Sequence, residues 1–109
     1  MTNKPVVLRE RARRDVDEAV EHFLAEARSE VALAFIDALE EAFRRMGEFP
    51  ATGSPRDARE LDIPGLRSWV VGGLPFLVFY VEREADIDVW RVLHAARDVP
   101  AWLREPLEG

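Results

Sequence analysis

Residues 66–93 read LRSWVVGGLPFLVFYVEREADIDVWRVL, and this stretch decides the fold. Its apolar positions recur with a period of two and are rich in β-branched and aromatic side chains, the pattern of strands packed against a core. Leu66–Val71 is expected as one strand, and Gly72-Gly73 as the hairpin turn that follows it. Phe76–Val81 (FLVFYV) is apolar on both faces, as a central strand is. Glu84-Ala85-Asp86 then turns the chain into a last strand over Ile87–Leu93.

Upstream of the meander the period changes. Pro50, Gly53, Pro55, Pro64 and Gly65 interrupt a charged segment from Phe49 to Gly65, which reads as a long loop of the kind that often carries function. Before it, Ala32, Ile36, Leu39, Phe43 and Met46 repeat at helical steps, with Ser29 expected as N-cap and Gly47 as the left-handed C-terminal residue. Val16, Val20, Phe23 and Ala27 mark an earlier helix; Asp15, Asp17, Glu18 and Glu21 fall off that face and are expected to be solvated. Pro5–Arg9 is a short β-rich run whose proline suits an edge strand. The expected architecture is therefore α+β: an N-terminal strand and a helical hairpin packed on a mainly antiparallel sheet, in the order β-α-α-β-β-β. The tail from about residue 99 is expected to be irregular or a short helical turn. The sheet face away from the helices is expected to be open and to present Trp69, Val71 or Trp90 to a partner.

Composition narrows the function classes. With 109 residues, one domain spanning residues 1–109 is expected. There is no cysteine, which excludes disulfides and thiolate metal sites, and His22 and His94 are too few for a metal centre to be expected. No cofactor is expected. The net charge is −6, and residues 1–48 and 49–109 each carry the same excess of three acids, so no basic domain hides in the average. Direct nucleic-acid binding by this chain is not expected. No apolar run is long enough for a membrane span or signal peptide, which leads us to expect a cytoplasmic protein. Lys4 is the one lysine among 15 basic side chains; arginine's planar fork suits paired and interfacial positions.

The polar residues near the last strand, Arg91, His94, Arg97 and Asp98, are the strongest candidates for chemistry. An arginine and a histidine together can polarise a phosphodiester and move a proton. The plainer reading is an Arg97–Asp98 pair closing the strand end and a structural histidine. Arg91 alternates with Ile87, Val89 and Leu93, so it is expected on an apolar face and needs a partner, an acidic residue of the fold before a ligand. Ser29, Ser54 and Ser68 lie in no nucleophile signature.

The sequence resembles the RelE/ParE superfamily of toxins from type II toxin–antitoxin modules. The resemblance is carried by Asp15-Val16 and Phe23, Ala32–Phe35 and Phe43, Phe49-Pro50, Gly53, Pro64-Gly65-Leu66-Arg67, and Phe76–Tyr80. Its best string is Arg91-Val-Leu-His94-Ala-Ala-Arg97-Asp98, similar to the ending of ParE-type members. Aligned without gaps, two arginine positions of the messenger-RNA-cleaving members fall at Phe76 and Ala96, and a further basic position falls at Trp69; Arg67 alone keeps its charge. The resemblance therefore implies a ParE-type toxin, not an enzyme, that inhibits DNA gyrase and is silenced by a ParD-type antitoxin in a hetero-oligomer, a heterotetramer or larger. The alternatives are a ribosome-dependent endoribonuclease using Arg67, Arg91 and His94, and a non-toxic antitoxin-binding domain.

On this reading the antitoxin is expected to cover Arg59, Leu61, Trp69, Phe76, Trp90 and Arg91. The target is expected to meet Arg67, His94, Arg97, Asp98 and Trp102.

Overall fold

Three strands and two long helices fall where the two periods place them, in a computed structural model that describes residues 3–103. A short strand β1 (Val6–Leu8) leads into helix α1 (Glu10–Ala25), and helix α2 (Ser29–Glu48) follows after a three-residue break. Strands β2 (Leu66–Val70), β3 (Phe76–Glu82) and β4 (Ile87–His94) form the antiparallel meander. β1 joins it in parallel beside β4, so the sheet is mixed, with order β1-β4-β3-β2.

The helices bury a seam one step away from the expected one. Ala12, Ala19 and Phe23 of α1 and Ala32, Phe35, Leu39, Ala42 and Met46 of α2 are buried, whereas Val16, Val20, Ile36 and Phe43 are half-buried flanks. Alanines along the seam bring the helix backbones close to the sheet, a packing term that a reading weighted toward large apolar residues overlooks. Ala27 lies beyond α1, in the left-handed region at φ 57°. Ser29 is the first residue of α2, not its cap, and no side chain caps that end. Gly47 lies inside α2; its small size lets the N-terminal strap cross, since a Cβ there would stand 2.6 Å from the Lys4 carbonyl oxygen.

The second sheet face is not open. The segment between α2 and β2 forms a 3-10 turn (Pro50–Thr52) and a short helix α3 (Ala58–Leu61), and the tail forms a short helix α4 (Val99–Leu103). Leu61, Ile63, Val99 and Trp102 join Leu66, Phe79 and Leu93 in a second buried cluster on that side. The long loop thus carries apolar residues that the sheet needed covered. The tail beyond residue 103 lies outside the described residues. No described helix is long and apolar enough to cross a membrane.

Candidate functional site

β4 organises the polar residues because its alternation breaks. Phe79 of β3 is paired with Arg91 while the next residue, Tyr80, is paired with Val89, so Trp90 is the extra residue of a β-bulge. Ile87, Val89 and Val92 pack in the helix-side cluster, whereas Leu93 packs in the outer one with Trp90 against it. Arg91 therefore does not share a face with Ile87 and Val89, contrary to the simple alternation.

Arg91 finds its acid in Asp15 of α1. Its Nε and Nη2 donate to the two carboxylate oxygens at 2.8 and 2.9 Å. The same carboxylate accepts the Val92 N–H at 3.0 Å. β1 pairs with β4 only as far as Val89, and Asp15 takes the place of a strand partner beyond that point. The side chains of Arg91 and Asp15 are 11% and 7% exposed. Arg91, expected on the antitoxin surface, is thus largely enclosed by the fold, and Asp15 is buried instead of solvated.

The turn after β4 is built from side chains. Asp98 accepts the His94 N–H at 3.1 Å, and His94 Nδ1 accepts the N–H groups of Ala96 and Arg97 at 3.2 and 3.1 Å. The ring of His94 stands edge-on to Phe76, and Arg97 Nε donates to Asp98 at 3.2 Å. Partial burial pushes the Asp98 carboxyl up, but the Arg97 and His94 donors outweigh it and hold it below the ordinary carboxylate value. Arg97 remains half-exposed.

Of the expected target-facing residues, the fold brings together His94, Arg97 and Asp98. Trp102 is buried against the Phe79 ring at 4.8 Å between centroids, so it is a core anchor and not an exposed indole. Arg67 lies on β2, two strands away from β4, and Nη1 donates to the Gly53 carbonyl at 2.7 Å.

The expected antitoxin residues do not form one groove. Phe76 is buried on the helix side, 4.8 Å from the Phe35 ring, and Leu61 is buried on the outer side, so the sheet lies between them. Trp69 is half-buried against the helix-side cluster, and a hollow of about 440 Å³ lies beside it, lined by Ala38, Ala42 and Val70 with Glu41 and Arg45. Trp90 is half-buried on the opposite face, where it donates to Asp88 at 3.1 Å and lies 3.7 Å beneath the Arg9 guanidinium. Val71, expected on the open face, is buried with the helices. Arg59 is exposed on α3.

Two hollows meet where α1, the β2–β3 hairpin and the end of β4 converge. The larger, about 350 Å³, runs between α1 and α4 and is lined by Asp15, Glu18, Arg91 and Asp98. The smaller, about 140 Å³, lies toward the α1–α2 junction, and the two share Ala19, His22, Phe76 and Arg97. Among the described residues no group of acids and histidines is arranged to hold a metal ion. The sequence placed Asp15 on the solvated side and did not show this convergence; the signals for Asp15 were the unmet need of Arg91 and its place in the Asp15-Val16 pair of the resemblance.

No curated protein matches the chain. Among solved structures, a chain of the "Chromosomal ParDE TA system from P. aeruginosa" is similar at 18% identity, with a TM-score of 0.68 over 84% of this chain and 96% of that one. At that identity the likeness speaks for the fold. The sequence itself matches the family described as "ParE toxin of type II toxin-antitoxin system, parDE" over residues 6–99, and the chain therefore belongs to the ParE toxin family.

Proposed function

We propose that this chain acts by binding and not by bond chemistry: it inhibits DNA gyrase in the cytoplasm and is silenced by a ParD-type antitoxin that assembles with it into a hetero-oligomer. The observation that carries this reading is how the groups most suited to phosphodiester chemistry are used. Arg67 is held by the Gly53 carbonyl, Arg91 by Asp15, and His94 Nδ1 by the turn that follows it. They serve three separate structural bonds. The positions that the ribonuclease relatives fill with charge carry the core residue Phe76 and the methyl group of Ala96. A phosphorane gains nothing from either.

What remains for partners is surface. Arg97, exposed at the end of β4 beside Asp98, is the residue we assign to gyrase; Trp69 with Val70, and Arg59, are left for the antitoxin. The test uses the purified chain in a gyrase supercoiling assay, with and without co-expressed ParD-type antitoxin, beside a ribosome-programmed cleavage assay. Loss of supercoiling that the antitoxin restores, with no new message ends, is the expected result. Specific message ends with supercoiling untouched would overturn the proposal.

A further inference from the structure

The smaller of the two hollows has a composition unlike the rest of the chain. Acids outnumber bases by 21 to 15 overall. Yet the polar side chains lining this hollow are His22, Arg28, His94 and Arg97, with no carboxylate among them; both histidines of the chain are there. Its floor is apolar, formed by Phe23, Val31, Leu74 and Phe76. The C-terminal end of α1 favours a cation by its dipole, which accounts for His22 but not for Arg28, the residue that precedes α2. It does not account for His94 and Arg97, which arrive from the far end of β4.

We infer that this hollow receives an acidic side chain, carried next to an apolar residue, from a segment of the antitoxin; the inference rests on the reading of this chain as an antitoxin-bound toxin. The volume, about 140 Å³, suits one side chain. It is well under the roughly 300–1,000 Å³ of small-molecule pockets. These basic side chains have acidic neighbours: Glu26 lies 3.5 Å from His22 and 3.4 Å from Arg28, and Asp98 lies 3.2 Å from Arg97. These are half-exposed pairs, which contribute little and yield to an anion seated against an aromatic floor. The adjoining cleft sets the direction of the segment. It is lined by Asp15, Glu18 and Asp98 with His22, Arg91 and Arg97; Asp15 is paired there with Arg91 and Asp98 with Arg97, which leaves Glu18 as the exposed acid that disfavours a second one. The segment runs with its acid at Arg28 and Arg97 and a neutral or basic residue toward Glu18. Seated there, it covers Arg97, so neutralisation follows from exclusion of gyrase from the same arginine.

The direct test is an NMR titration of the full chain with the peptide acetyl-Leu-Phe-Glu-Glu-amide and with its counterpart acetyl-Leu-Phe-Gln-Gln-amide, following the imidazole signals of His22 and His94. The acidic peptide is expected to shift both signals to saturation, and the amide peptide to leave them in place. The double variant Arg28→Gln, Arg97→Gln is expected to lose at least tenfold in affinity for that peptide and for a co-expressed ParD-type antitoxin, with an unchanged melting temperature. Equal shifts from the two peptides, or wild-type antitoxin affinity in the double variant, would overturn the inference. If no antitoxin complex forms while the acidic peptide still discriminates, the antitoxin reading falls and the chemistry of the hollow stands.

Discussion

Asp15 and Arg91 are joined by a two-pronged ion pair that also closes the edge of the sheet, because the same carboxylate accepts the Val92 N–H. Helix α1 is thereby tied to β4 beyond the point where β1 has ended. Asp15→Ala leaves a buried guanidinium and an unpaired N–H, and is expected to cost about 3–5 kcal/mol in chemical denaturation. Replacing both partners, Asp15→Leu with Arg91→Met, is expected to recover most of that loss. The part that stays lost, about 1–3 kcal/mol, belongs to the Val92 N–H. Near wild-type stability in Asp15→Ala would remove the pair from the account of the fold.

Tyr80, on the helix side of β3, plays a corresponding part for the long segment. Its hydroxyl donates to the Pro50 carbonyl at 2.7 Å and accepts the Gly53 N–H at 3.1 Å, which pins the start of the long segment to β3. Burial pushes the phenol's pKa up, against the lowering influence of the Gly53 N–H and Arg67. Tyr80→Phe is expected to cost about 1–3 kcal/mol, since the buried Gly53 N–H and the partly buried Pro50 carbonyl lose their partner. Gly53→Ala is expected to cost more, because a Cβ would collide with the Tyr80 hydroxyl. Thermal unfolding of both variants checks the order.

The break between the helices offers a stabilising change. Ala27 is left-handed, and the Arg28 N–H reaches back to the Phe23 carbonyl at 2.8 Å, the closing bond of a glycine-type helix end. Glycine accepts that conformation without the Cβ penalty, so Ala27→Gly is expected to raise stability by about 1 kcal/mol. A lower melting temperature in that variant would show that the turn is not strained.

Arg97 and Trp102 separate function from folding. Trp102→Ala removes a buried ring packed on Phe79 and is expected to destabilise by about 3–5 kcal/mol. Arg97→Ala breaks only an exposed pair, worth about 0–1 kcal/mol, and is expected to leave the melting temperature unchanged while abolishing growth inhibition. Toxicity retained in a folded Arg97→Ala variant would move the gyrase contact away from the end of β4.

The sequence by itself determined the two long helices, the strands and their order. The switch from a period near 3.6 to a period of two is written in individual residues such as Phe23, Leu39, Phe79 and Val89, and local backbone geometry turns it directly into helix or strand. Arg91's need for an acid was equally legible, because a charge among apolar neighbours is costly wherever it folds. What only the tertiary structure decided was parity and pairing. A single extra residue at Trp90 moves Arg91 to the face opposite Ile87 and Val89, and no period can register one bulge. Asp15, spaced like a solvated acid, is buried because β1 stops three residues short of Val92 and leaves an N–H that something must accept. Leu61 and Trp102, surrounded by loop residues in the sequence, are buried because the outer face of β3 and β4 is apolar and water had to be excluded from it. Those outcomes depend on contacts between segments tens of residues apart, and only the folded chain brings them together.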